Sequence, residues 1–505
     1  MIIINKRIKW GLTVLLVGLS VFSSFAQTKK HLEEAVGAFE KAMISRDVEA
    51  VKKLLAPDFM IGVYDGQEMQ YLLDGIVKRY SAIEAITYQG KKNHRKLVLT
   101  KVNIQLEKGE EITTNLAFNK DAQLSYVDLF DGFYDLDRYS DHGLVATIPF
   151  EMENNKIIIK AKMNDCQETL KLIFDTGADG MALSPKVAEM VGVKNIRDHK
   201  TAVVGGSTKV KFSSGNTVHL TEKLSLSNQN LVIFQGMEDK VDGLIGGGVL
   251  RKFTTKFDFD KGEIELYDFN SFEPSPEAAV FNVDFGSGVP EIPIKYYLSN
   301  KKEELTAEMV FDTGAGYSMI FFGPYVGQEK LTEGFEAAFH STNYSMGMAT
   351  PIQIGYMDYA RIGDQKIENV LVSLQQYDPQ NKDWITSSGS FGIELIKKFH
   401  VTIDRLHKKI YLEPNESFSK PTEFVIAGMV LHFNDQEELE IKQVIQGSAA
   451  SREGLRPGGK IMMIGDFTSD DLLENGLNEL LNIEQSSITV RVLAGEQAMQ
   501  LELEI

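Results

Sequence analysis

Two aspartates, Asp175 and Asp312, each stand in the string Phe-Asp-Thr-Gly-Ala, at Phe174–Ala178 and again at Phe311–Ala315, 137 positions apart. A carboxylate that ends an apolar strand and is followed by Thr and Gly suits one half of a paired site. Gly177 and Gly314 let the backbone turn where a side chain would collide. Thr176 and Thr313 can hydrogen-bond across to the other copy's backbone and hold two loops together. If the copies face each other about a pseudo-two-fold axis, the two carboxylates meet. Carboxylates that close cannot both ionise comfortably, so they share one proton. One then serves as general base and the other as general acid, which suits attack of an activated water on an amide carbonyl with no covalent intermediate.

Two such loops need matching scaffolds, and the chain supplies them as an internal repeat over about 145–415. KIIIKAKMNDCQETLKLIFDTGADGMAL and EIPIKYYLSNKKEELTAEMVFDTGAGYSMI each read as a β-hairpin whose second strand runs into the aspartate. A second pair of stretches follows, Gly243–Leu266 and Gly389–Leu412, in which Gly246, Leu250, Phe253 and Asp258 match Gly392, Ile396, Phe399 and Asp404 at a constant offset of 146. The expectation is a duplicated β-rich domain, with one lobe at 145–270 and the other at 278–415. Asp258-Phe259-Asp260-Lys261-Gly262 has the Gly one residue early for a calcium loop and lacks its closing Glu, so it reads as a hairpin turn, as does the matching stretch from Asp404.

Other blocks flank the repeat. Residues 1–26 carry Lys6, Arg7 and Lys9, then an apolar run from Trp10 to Phe25 and Ser24-Phe25-Ala26, the layout of a cleavable export leader over 1–26. The run is shorter than the ~20 residues that span a bilayer, and no later segment competes as a span. A periplasmic or secreted protein is therefore expected. Without the leader the chain carries 50 Lys and Arg against 71 Asp and Glu, a net charge of −21. That balance argues against nucleic acid as a partner. Cys166 is the single cysteine, so no internal disulfide forms, and the nine histidines show no metal-ligand spacing. No cofactor and no metal are expected.

From about 30 to 140, HLEEAVGAFEKAMISRDVEAVKKLLAPDFMI places Leu32, Ala35, Phe39 and Ala42, then Val51, Leu54 and Leu55, at helical spacing ahead of strands. This opening resembles the SnoaL-like α+β cone, which would make it either a small-molecule pocket or a spacer. After the turn-rich EPNESFSKP the composition changes, and 422–505 reads as a separate small domain. Its GSAASREGLRPGGKIMMIGDF resembles the core of a bacterial PDZ domain, with Gly459 in place of the usual Asp. The resemblance implies that Ala427-Gly428-Met429-Val430 offers backbone N–H groups to the C-terminal carboxylate of a peptide, with Gly428, Met429 and Val430 as binding positions.

The paired DTGA strings and the apolar-apolar-Gly stretches resemble the pepsin and retropepsin aspartic proteases. The resemblance implies a mainly β, multidomain chain with bilobal β-barrel domains of pseudo-two-fold symmetry, and a polypeptide substrate. It makes Asp175 and Asp312 the catalytic pair, Thr176, Gly177, Thr313 and Gly314 their supports, and Asp179 a contact to substrate backbone, where the second copy has Gly316. Flaps fall on Val203–Val210, hinged at Gly205 and Gly206, and on Tyr344–Thr350. The signature is intact at Leu244-Ile245-Gly246 but reads Ser390-Phe391-Gly392 in the second copy. Ala178 and Ala315 stand where pepsins place a hydroxyl that bonds the aspartate, so the expected dyad titrates higher and works between mildly acidic and near-neutral pH. With both lobes in one chain, a monomer is expected. The rival reading is a catalytically silent scaffold that binds peptides through the PDZ groove and an inert cleft.

Overall fold

The structure, a computed structural model, describes residues 28–80, 82–139, 142–203, 206–235, 241–345, 348–380, 387–434, 436–481, 483, 485–494 and 497–505. The leader expected at 1–26 and the flap-tip residue Gly205 lie outside them. The chain divides into two compact units, Met1–Asp137 and Arg138–Ile505.

In the first unit the helical spacing produces Lys29–Ile44, capped by the Thr28 hydroxyl on the His31 N–H, and the short Val48–Lys52, capped by Asp47 on the Ala50 N–H. A third helix, Gly66–Arg79, was not read from the sequence. It buries only Leu73 and Val77, a stripe too thin to show as a period. A four-stranded antiparallel sheet follows, from Ile83–His94 to Leu124–Val127. Leu32, Val36, Phe39, Val102, Leu116 and Phe130 fill the space between helices and sheet. The buried Asp131 is not a stray charge, because it accepts the Gly62 N–H at 2.6 Å.

The second unit holds both repeats and the last block. In the first repeat, Leu144–Met152 and Ile157–Met163 form a hairpin, and Ile157–Met163 then pairs with Leu170–Phe174. Gly243–Ile245 lies parallel to Leu170–Phe174 and antiparallel to Met181–Leu183. The second repeat builds the same pattern, with Gly389–Gly392 parallel to Glu304–Asp312 and antiparallel to Met319–Phe321. The period of two sets the faces: Met181, Leu183, Met319 and Phe321 enter one large apolar core, while Ala182 and Ile320 point to the opposite face.

Strand pairing crosses between the two expected lobes. Thr254–Asp258 pairs antiparallel with Phe399–Asp404, with Thr255, Lys256 and Phe257 opposite Ile403, Thr402 and Val401. One sheet therefore runs through both repeats. The matched aspartates Asp258 and Asp404 close the adjoining turns by accepting the N–H of Lys261 and His407, each at 3.1 Å. The last block has its own sheet, from Phe424–Ile426 to Gln497–Glu504, and its own core around Leu431, Ile441, Ile461 and Val492. Its Val425, Val430 and Ile445 also form one apolar cluster with Ile320, Phe322, Ile354 and Leu371 of the second repeat.

Phe257 ties the seam to the first aspartate strand. It is fully buried and meets the Phe174 ring edge-on at 5.1 Å. Phe257→Ala is expected to cost about 3–5 kcal/mol, read from the denaturation midpoint of the second unit.

Candidate active site

Asp175 follows the strand Leu170–Phe174, and Asp312 ends the strand Glu304–Asp312. The parallel strand fixes each: the Asp175 N–H donates to the Ile245 carbonyl at 2.8 Å, and Asp312 pairs with Gly392. The loops beyond them lock through crossed hydrogen bonds. The Thr176 hydroxyl donates to the Phe311 carbonyl at 2.5 Å and accepts the Thr313 N–H at 3.0 Å. The Thr313 hydroxyl donates to the Phe174 carbonyl at 2.7 Å and accepts the Thr176 N–H at 3.0 Å. Both threonines are fully buried, so each bond is made in a medium that amplifies it.

The glycines are needed for space rather than torsion. A Cβ on Gly177 would sit 2.4 Å from Asp312 Cγ, and one on Gly314 would sit 2.4 Å from Asp175 Cγ. Each glycine thus lies against the other repeat's carboxylate, and neither has a positive φ. Gly246 and Gly392 meet the same limit one layer back, where a Cβ would fall on the carbonyl of Asp175 or of Tyr317.

Electrostatics divide the pair. Burial, the Asp312 charge and the hydrogen bond between the two push the Asp175 carboxyl well above its ordinary range. Asp175 Oδ1 has no hydrogen-bond partner. Burial also raises Asp312, but the Gly314 N–H at 2.9 Å, Asp175 and the Ser390 hydroxyl at 3.4 Å work against it. Both carboxyls are thus raised, Asp175 the further of the two, so the pair holds one proton between them. The hydroxyl expected after the DTG string is absent, as Ala178 and Ala315 require. A different hydroxyl, Ser390, takes up that role from the apolar signature position of the second repeat; its counterpart in the first repeat is Leu244. Tyr317 lies near Ser390 and Asp312, and its phenol is pushed up by burial and by the charge of Asp312. The departure at Ser390 was legible in the sequence; its partners were not.

Asp179 is half exposed, and its carboxylate is held by Arg251: Nη1 meets Oδ1 and Nη2 meets the Asp179 carbonyl, both at 2.5 Å. The Gly206 end of the first flap hairpin pairs with Val203 between the strands Arg197–Val203 and Gly206–His219. The second expected flap is also a hairpin, Ala337–Ser345 with Met348–Ile362, closing at Ser345 and Met348. The expectation for Gly428, Met429 and Val430 needs correction. Ala427 and Gly428, at φ 49° and 81°, form a two-residue turn, and the chain's own Phe424–Ile426 pairs along Met429–Phe433 on the edge that a peptide would need. The other edge of that strand is taken by Leu439–Val444. Gly428 is closed in as well, since a Cβ there would fall 2.0 Å from Ser448 Cβ.

Among the described residues, ligand atoms converge at Asp258, Asp260 and His400, and the Lys261 ammonium lies 3.0 Å from Asp258 Oδ2.

The crossed threonine bonds carry a direct test. Thr176→Val keeps the shape but leaves the buried Thr313 N–H without an acceptor, so a loss of about 1–3 kcal/mol is expected. Thr313→Val should cost a similar amount. Less-than-additive loss in the double variant, measured by denaturant unfolding, is the sign of one coupled unit.

No curated protein matches the chain. Among solved structures, the aspartic proteinase from Irpex lacteus aligns at 13% identity and a TM-score of 0.34, covering 54% of this chain and 98% of that one. Residues 159–249, which hold the Asp175 loop, Asp179, Gly246 and part of the wall around them, match the model of the family described as aspartyl protease, and over that stretch the chain is similar to a peptide-bond hydrolase.

Proposed function

We propose that the chain is an aspartic endopeptidase in which Asp175 and Asp312 share a proton and activate one water. The observation that carries this is the reciprocal locking of the two loops, which holds both carboxylates against each other's glycine, where burial raises the pKa of each. Asp312 takes a proton from the water as its oxygen attacks the peptide carbonyl carbon, and protonated Asp175 gives its proton to the carbonyl oxygen. The tetrahedral diol collapses as Asp312 gives its proton to the leaving nitrogen and Asp175 takes one from a diol hydroxyl; the C–N bond breaks, and the proton of the dyad is back on Asp175. No group outside the chain is consumed except water.

A polypeptide is the substrate of this reading. The leader layout supports export to the periplasm or beyond, and one chain supplies both aspartates, which favours a monomer. The sequence of the last block favours a PDZ fold; with its own strand on the binding edge, we read it as a block that packs against the second repeat. The first unit is read as a spacer. The rival, a silent peptide-binding scaffold, predicts no hydrolysis and nothing for a statine-type transition-state mimic to inhibit.

Cleavage of an unfolded polypeptide across about pH 3–8 tests the proposal. Asp175→Asn and Asp312→Asn should each lower kcat about a hundredfold or more, and wild-type-like activity in either would defeat the dyad. Activity requires the singly protonated pair, so it rises with pH as Asp312 ionises and falls as Asp175 loses its proton. Both groups lie above their ordinary values, so the optimum should fall between mildly acidic and near neutral; a peak near pH 2–3 would contradict this. Ser390→Ala removes a bond to ionised Asp312 and should move the acid limb to higher pH, leaving the alkaline limb in place.

A further inference from the structure

The two catalytic loops are not held in the same way. In the first repeat Asp179 follows the DTGA string and is clamped by Arg251 through its carboxylate and its carbonyl. The offsets of 137 and 146 make Gly316 and Lys397 the matching positions, so the second repeat has lost both halves of this clamp. Lys397 points elsewhere, with its ammonium 2.9 Å from Glu394 Oε2 and 3.2 Å from Asn155 Oδ1.

What holds the second loop comes from the last block. Glu423, almost fully buried, accepts the Ser318 N–H on Oε1 at 2.6 Å, six residues beyond Asp312. Its Oε2 is bonded by Lys442, which also reaches Glu394 Oε1 at 3.1 Å. Glu394 occupies the position of Gly248 in the first repeat, so this charge was added to the second repeat alone. Burial opposes the charge on both Lys442 and Glu394, but the neighbouring opposite charges hold lysine high and glutamate low, so both stay ionised. His432, pushed down to about 4 mainly by burial, adds no charge near neutrality. Two carboxylates and two ammonium groups thus balance inside the junction. Two further bonds fasten the same strand: the Tyr356 hydroxyl accepts the Val425 N–H at 2.8 Å and lies 3.3 Å from the Val425 carbonyl. Tyr317 packs on the apolar cluster that holds Val425 and Val430.

We propose that Glu423 is a positioning residue for Asp312: from the C-terminal block it holds the loop 312–318 where the first repeat uses Asp179 and Arg251. The block is then part of the catalytic apparatus rather than an appended recognition module. This rests on the protease reading above, and its test can fail separately. A buried carboxylate pinned by an ammonium is a fixed acceptor, and fixing Ser318 fixes its carbonyl, which accepts the Gly392 N–H at 2.9 Å, and the strand Met319–Phe321, whose Ile320 pairs with Ser390, the hydroxyl that faces Asp312. Displacements of about 1 Å in such a frame cost up to about a hundredfold in rate.

The full chain is assayed for cleavage of an unfolded polypeptide and for amide hydrogen exchange at Ser318, as wild type, Glu423→Ala, Glu423→Gln, and Glu423→Ala combined with Gly316→Asp and Lys397→Arg. The last variant rebuilds the first repeat's clamp, and Gly316 has room for it, since a Cβ there meets nothing nearer than 3.9 Å. Glu423→Ala should lower kcat about tenfold or more while KM moves less than about threefold, and should speed Ser318 exchange. Glu423→Gln still offers an oxygen to Ser318 and should retain most of both readouts, and the rebuilt clamp should restore them. Unchanged kcat in Glu423→Ala, or a loss that neither Gln nor the rebuilt clamp recovers in a folded protein, overturns the proposal. If Glu423→Ala does not fold, Glu423→Gln decides: wild-type-like kcat and Ser318 protection support the assignment, and loss of both defeats it. If the wild-type chain cleaves nothing at any pH, the protease reading falls and exchange alone decides. Protection at Ser318 that is lost in Glu423→Ala and regained with the clamp then supports the anchor, and unchanged protection removes it.

Discussion

Two carboxylates pressed together repel, and that repulsion is the constraint the second unit is built to withstand. Left in water, Asp175 and Asp312 would ionise and separate. Burial raises the cost of the second charge, so the pair keeps a proton, but burial needs rigid walls on every side. The crossed threonines supply rigidity at the loops, and the glycines supply the close approach. Behind them the parallel strands through Ile245 and Gly392 set the height of each aspartate. The geometry of the site follows from denying the two groups that relaxed state.

The duplicated strings made the dyad legible because its parts are local: strand, Asp, Thr and Gly fall within five residues. The constant spacing of Gly246 with Gly392 and Asp258 with Asp404 likewise exposed the repeat, since turn closure and tight strand crossing demand particular residues. Long-range pairings left no such mark. Nothing near Ser390 announces Asp312, and nothing near Glu423 announces Ser318. The last block misled in another way. Its small-apolar stretch Ala427-Gly428-Met429-Val430 has the composition of a carboxylate-binding loop, yet the same residues suit a tight hairpin, and which one forms depends on whether a neighbouring segment such as Phe424–Ile426 is there to pair. The helix Gly66–Arg79 was hidden because two buried side chains in fourteen residues set no period.

The repeats have diverged where symmetry is not required. Asp179 and Arg251 against Gly316 and Lys397, Leu244 against Ser390, and Gly248 against Glu394 are exchanges at equivalent places in the two repeats. With Ser390 on Asp312 and no counterpart on Asp175, the two carboxylates have unequal surroundings. Identical halves would leave the proton equally at home on either side, and the direction of transfer would be set by substrate alone.

The ladder between Thr254–Asp258 and Phe399–Asp404 has a consequence for how such a chain could arise and fail. Each strand is the other's only neighbour on that side, and the two occupy matching places in their repeats. A single repeat made alone would carry a bare strand edge whose best complement is its own twin. It would seek a second copy, and the pairing that resulted would bring two aspartates together as a matter of geometry. Fusion of the halves turns that encounter between molecules into a step within one chain, independent of concentration, and frees each half to change without the other.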